Sequence, residues 1–229
     1  MQYRDAGCRR GRSWPLALVA ALAVAPAAQA QNQVENPNFA DALAPWALFL
    51  SAPPDPAGAG SATWTALQDV SEAPGASGSA QVVLDASAQA PHAAAGIRQC
   101  IAFAAPRSVV QANYGARFKI PAQDAADGTT SVAVEVRFFS DAACTQFIAG
   151  AGGMQSRAIV AGVPDDGFWY SAGDPAFAPP PDTVAGSAEV RATLRKLGTS
   201  ADAYTAYFDD VYLSLNGSVP VSLQSFGVD

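Results

Sequence analysis

Histidine occurs once in this 229-residue chain, at His92, and cysteine three times, at Cys8, Cys100 and Cys144. One histidine and no C-x-x-C pair leave little basis for a zinc site or for thiol catalysis. A Ser-His-Asp triad would need His92 as its base, yet the chain has no G-x-S-x-G elbow, and "GASG" at 75–78 reads as a serine-bearing turn. His92 is therefore read as a surface-loop residue. "AGAGG" at 149–153 lacks the Lys-Ser/Thr of a phosphate loop and reads as a flexible connection. Basic residues are also scarce, 13 against 20 acidic ones. An acidic balance repels phosphate backbones and anionic membrane surfaces, so nucleic acid is not an expected partner.

Only the start of the chain has a long apolar run. Arg4, Arg9, Arg10 and Arg12 precede an apolar stretch from Trp14 to Ala27, and Ala28-Gln29-Ala30 gives a small-x-small cleavage pattern. Residues 1–30 are expected to be a secretory signal peptide of the Sec type, cut near Ala30. The surroundings of Arg9-Arg10 do not favour a twin-arginine route, and no cysteine at the processing site offers a lipid anchor. Removing 30 of 229 residues leaves 199, with 9 basic and 19 acidic side chains. No later run reaches the ~18 apolar residues that a membrane span needs, so no membrane insertion is expected. A secreted or periplasmic product follows. There Cys100 and Cys144 are expected to form one disulfide, the alternatives being two free buried thiols or a reactive cysteine.

Period-2 alternation recurs through the chain. Tyr114, Ala116, Phe118 and Ile120 share one face of a strand, opposite Arg117 and Lys119. Val132, Val134, Val136 and Phe138 alternate with Glu135 and Arg137, and Ala188, Val190, Ala192 and Leu194 with Glu189, Arg191 and Arg195. Further strands are expected at 81–84, 96–103 and 207–215, with Pro/Gly/Ser/Asp-rich turns at 51–60, 71–80, 123–130 and 177–187. This pattern predicts an all-β, single-domain antiparallel β-sandwich of jelly-roll type over 31–215, followed by a tail at 216–229. The charged wet-face residues either line a concave binding sheet or form a solvated face held by cross-strand ion pairs.

Four marks in order carry a resemblance. "VENPNFADALAPW" at 34–46 resembles the opening strand of galactose-binding-like jelly rolls such as the family 4/9/16/22 carbohydrate-binding modules. "ASGSAQV" at 76–82, "GIRQCI" at 96–101 and "AYFDDVYL" at 206–213 are similar to later strands of the same modules. The Gln-Cys strand and the cysteine ending "FFSDAAC" also resemble an exported bacterial subgroup of this type that has no assigned activity. The resemblance implies a structural calcium bound by backbone carbonyls, a Glu near the start and the first Asp of the closing pair. Here Asp209 is that Asp, but Ala40 stands at the Glu position, with Asp41 and Glu35 as nearby oxygen donors. No other cofactor is implied.

Regular alternation in the last strand puts Tyr207, Asp209, Val211, Leu213 and Leu215 on one face and Phe208, Asp210 and Tyr212 on the other. With the aliphatic residues inward, Asp209 is internal, as a calcium ligand or a hydrogen-bonded structural carboxylate, and Asp210 is external; a β-bulge would reverse this parity. Carboxylates on opposite faces make a poor acid/base pair. Exposed aromatic rings are the better functional candidates, because sugars stack on them. Trp64, Trp169 and Tyr170 are the named candidates for carbohydrate contact, with Tyr114 and Tyr204 behind them and Trp46 expected in the core. The expected function is an exported, non-catalytic module that binds polysaccharide or a surface glycan. The alternative is a structural or protein-interaction domain of the cell envelope with no sugar site.

Overall fold

The computed structural model describes residues 31–71, 77–122, 129–148 and 155–216. The expected signal peptide, and the tail beyond residue 216, lie outside the described residues. Among the described residues ten strands follow in chain order: β1 Ala47–Leu50, β2 Gly60–Thr65, β3 Ser79–Leu84, β4 Ala94–Ser108, β5 Ala112–Lys119, β6 Thr130–Phe139, β7 Gln155–Ala161, β8 Trp169–Phe177, β9 Val184–Lys196 and β10 Tyr204–Leu215. They form two five-stranded antiparallel sheets, ordered β1-β4-β9-β6-β7 and β2-β3-β10-β5-β8. The architecture is the expected all-β sandwich. Among the described residues no helix is long and apolar enough to cross a membrane.

Alternating side chains of the two sheets make the core. Ile97, Val132, Val134, Val136, Phe138, Val190, Ala192 and Leu194 of the first sheet are buried against Val82, Leu84, Tyr114, Phe118, Phe208, Val211 and Leu213 of the second. The inward faces assigned from alternation in β5, β6 and β9 are all buried. Trp46 joins the core beside Phe39, with ring centroids 5.7 Å apart. Each residue is held by a pleat whose successive side chains take opposite faces, so one dry face per sheet suffices for a sandwich.

Cys100 in β4 is bonded to Cys144, in the turn after β6, across 44 residues of sequence. Closing a loop of that size restricts the unfolded chain and stabilises the fold by ~2–4 kcal/mol. The double variant Cys100→Ser/Cys144→Ser is expected to lose stability in that range in urea unfolding, with the slope measured alongside the midpoint.

Candidate functional site

The second sheet acquires its outer face from an irregularity in β10. Asp209 pairs with Arg117 and Tyr212 with Gly115, so Asp210 and Val211 together oppose the single residue Ala116. This is a β-bulge, and Asp210 takes the left-handed region at φ 45°, which aspartate tolerates better than most residues. Tyr204, Ala206 and Phe208 point inward before the bulge, and Val211 and Leu213 after it. The regular alternation expected for this strand is thus corrected: Phe208 is fully buried in the core, and Asp209 falls by parity on the outer side. Asp209 is nevertheless fully buried. The 69–70 segment reaches it, Val70 N–H donating to Oδ2 at 3.0 Å, while Asp210 N–H donates to Oδ1 at 2.8 Å.

Downstream of the bulge the outer face holds Tyr212, Asp210 and Arg117. A Cβ on Gly115 would lie 2.7 Å from Tyr212 Cε1 and 2.8 Å from its hydroxyl, so the ring crosses the strand only because Gly115 has no side chain. Gly173 is paired with Gly115 on β8. Around this ring a cavity of about 280 Å³ is lined by Arg117, Ser171, Gly173, Pro175 and Asp210. A second cavity of about 530 Å³ adjoins it through Arg117 and is lined by Lys119, Trp169, Phe168, Leu67 and Asp69. Arg117 donates to Ser171 Oγ at 3.0 Å and to the Trp169 carbonyl at 3.3 Å. Burial lowers its proton affinity, and the charges of Asp210 and Asp209 act the other way. Burial likewise raises the Asp210 carboxyl, with Arg117 opposing. The result is an aromatic surface flanked by a cation, a carboxylate and a hydroxyl.

The structure separates the three aromatic candidates. Trp169 lines the larger cavity, with Lys119 Nζ 5.9 Å from its ring centroid. Tyr170 points to the opposite side, stacked on core Phe118 at 5.9 Å with its hydroxyl on Asp166 Oδ2 at 2.5 Å. Trp64 sits on edge strand β2, donating from Nε1 to the Phe39 carbonyl at 2.8 Å and covering Gly78. Tyr114 and Tyr204 are buried. Tyr212, Leu67 and Phe168, which sequence reading passed over, join Trp169 instead. Only the pairing of Gly115 with Tyr212 marks the tyrosine, and that register is not visible before folding. The charged wet-face residues also divide. Arg117 and Lys119 belong to this sheet, and Glu135, Arg137, Glu189, Arg191 and Arg195 to the other.

The residues near Asp209 do not fit calcium, which takes six to eight oxygen ligands. Ala40 offers no carboxylate. Asn36 Nδ2 donates to the carbonyls of Ala42 at 2.7 Å and Ala44 at 2.9 Å, so an amide already occupies oxygens of the opening loop. Both Asp209 oxygens accept N–H groups, and among the described residues no three His, Cys, Asp or Glu side chains come together to hold a metal. Burial, reinforced by the charges of Asp210 and Asp69, pushes the Asp209 carboxyl from its ordinary 3.8 up to about 8, against the two N–H bonds. A raised carboxyl favours the folded state fully below pH ~4, and that contribution is lost as pH rises through about 8. Stability from denaturant titration is expected to fall between pH 5 and pH 9 by on the order of a few kcal/mol more in the wild type than in Asp209→Asn. EDTA is expected to leave the thermal midpoint of the wild type unchanged.

No protein-family model and no curated protein matches the chain. Solved structures of similar shape include a β-sandwich carbohydrate-binding module described for promiscuous specificity, at 8% identity and a TM-score of 0.48, covering 80% of this chain and 61% of that one. The enzymatically active domain of bacteriophage CBA120 tailspike protein 4 aligns at 16% identity and a TM-score of 0.47, covering 80% of this chain and 21% of that one. The C-terminal family 22 carbohydrate-binding module of Clostridium thermocellum Xyn10B aligns at 13% identity and a TM-score of 0.44, covering 80% and 93%. The chain therefore spans about three fifths and about a fifth of the first two proteins. Scores at this level carry no activity to this chain, whose sandwich is read from its own two sheets.

Proposed function

We propose that the protein is an exported, non-catalytic β-sandwich module that binds carbohydrate on the outer face of the β2-β3-β10-β5-β8 sheet. The observation that carries this reading is the Tyr212 ring laid across Gly115 inside a cavity of about 280 Å³. Pyranose rings present C–H faces to an aromatic surface and hydroxyls at their rim. Tyr212 and Trp169 supply the first contact, and Arg117, Asp210 and Ser171 the second. A non-catalytic role is supported by Asp209, sealed under the 69–70 segment, which cannot share a scissile bond with Asp210. Export is supported by the leader-like first thirty residues and by the Cys100–Cys144 disulfide, a bond that persists in oxidising compartments.

A protein partner is the second reading. It is favoured by Leu67, 83% exposed, and Phe168, 68% exposed, which flank the larger cavity. A glycan array followed by calorimetry separates the two. Binding of a neutral oligosaccharide is expected, weakened roughly tenfold by Tyr212→Ala and by Trp169→Ala. No glycan bound at millimolar concentration would sink the carbohydrate reading and leave the apolar flank as the interaction surface.

A further inference from the structure

The outer face of the other sheet carries a different chemistry. Arg98, Arg191, Glu135 and Arg157 stand in one cross-strand row over β4, β9, β6 and β7. The neighbouring row holds Glu189 and Arg137. On the other side of the arginine row lie the smaller residues Gly96, Thr193 and Ala133, between Phe49 on β1 and Ile159 on β7, and beyond them Arg195. Five of the nine basic residues that follow position 30 thus share one face of a chain whose net charge is −7.

The two glutamates do not balance them. Glu189 Oε1 is bonded by Arg191 at 2.5 Å, and its Oε2 lies 3.6 Å from Arg98. Glu135 Oε2 is bonded by Arg157 at 2.8 Å, and its Oε1 lies 3.7 Å from Arg137. Both carboxylates are nearly buried, and each already serves two guanidiniums. Arg195 forms no ion pair among the described residues. Burial and the Arg157 charge lower its proton affinity, and Asp55 and Glu135 oppose them only through space. Phe49 lies against the Arg191 guanidinium at 4.4 Å and fixes its plane. Arg157, Arg191 and Arg195 line a cleft of about 30 Å³ together with His92, Thr193 and the carboxylates of Glu135 and Asp55, room for the head of an oxyanion but not for a ring. Five guanidiniums therefore share two glutamates, with Arg195 outside the pairs, and carboxylate and sulfate groups satisfy such an excess of guanidinium donors through forked hydrogen bonds.

We propose that this cleft binds the oxyanion groups of an acidic polysaccharide, with Arg195, Arg157 and Arg191 as donors and Arg98 extending the contact along the row. Adjacent strands stand ~4.8 Å apart, so Arg98 and Arg191 lie one strand step apart on β4 and β9. Arg157 on β7 stands two steps further on, beyond Glu135, and these cations are spaced to meet charges repeated along one polymer. The remaining surface is acidic, which disfavours a densely charged phosphate polymer that would wrap beyond this face. The proposal does not rest on the Tyr212 site, which lies on the opposite sheet.

Affinity electrophoresis and calorimetry of the full chain with polygalacturonate (carboxylate), dextran sulfate (sulfate) and neutral dextran test it, at 20 and 200 mM NaCl. Binding to at least one acidic polymer and not to neutral dextran is expected, with at least a fivefold loss between the two salts, since screening reaches exposed guanidiniums. Arg195→Gln is expected to weaken it at least fivefold, Arg195→Lys to restore part of the loss, and Arg98→Gln to weaken it further in combination. Thermal midpoints are read for every variant, and Trp169→Ala is expected to leave acidic-polymer binding unchanged while reducing that of a neutral glycan. Three results would overturn the proposal: no acidic polymer bound at 20 mM salt, affinity untouched by Arg98→Gln/Arg195→Gln in a variant that melts like the wild type, or single-stranded DNA bound as tightly as either polymer.

Discussion

Asp210 is one residue more than the pleat of β10 can accommodate, and the geometry of the second sheet follows from that surplus. A strand that kept strict alternation through this point would carry Phe208 outward or Val211 and Leu213 into water. The bulge lets both halves of the strand bury their apolar side chains, at the cost of a left-handed backbone and an unpaired place in the ladder. The Val211 N–H, displaced from regular pairing, is taken up by the Pro37 carbonyl of the opening segment. Asp209 is left on the outer side but beneath Val70, and Tyr212 is turned across Gly115. Core, cover and cavity are set by one insertion.

The two sheets use their outer faces differently because their irregularities differ. β9 and β6 pair in unbroken register, so their outward-facing charges line up in rows and neutralise one another in part. In β10 the register shifts, the rows break, and the face carries an aromatic-lined cavity in place of ionic rows. Buried carboxylates appear on both, with opposite treatment. Glu135 and Glu189 are surrounded by guanidiniums, whereas burial of Asp209, reinforced by neighbouring negative charge, makes it hold its proton against two N–H bonds.

What was legible in the sequence follows the same division. The strands read from alternation were β3, β4, β5, β6, β9 and β10, which have a buried face and inner positions in their sheets. The strands not read were β1, β2, β7 and β8, and these are the four sheet edges. An edge strand is only half covered, so residues such as Ile159 in β7 and Leu48 in β1 are exposed and the apolar period fades. Tyr170 and Trp169 are adjacent aromatics of equal appearance, and only pairing with Phe118 and Lys119 assigns one to the core and one to the cavity. Asp210 reads by alternation as an external carboxylate; its role as the bulge residue depends on its partner strand, which local sequence does not contain.

The opening segment has a mechanical consequence. Gln33 N–H bonds the Leu213 carbonyl, Asn32 bonds Leu213 N–H and the Val211 carbonyl through its side chain, and Pro37 receives Val211 N–H. The segment therefore runs antiparallel to β10, and the polypeptide enters and leaves the sandwich at the same end. Tension applied through residues 31 and 216 would open these bonds one after another, as a zipper, instead of shearing them together. Asn32 and Gln33 stand nearest the loaded end and part first, and the last bond to open is that of Pro37, which holds Val211 beside the Asp210 bulge.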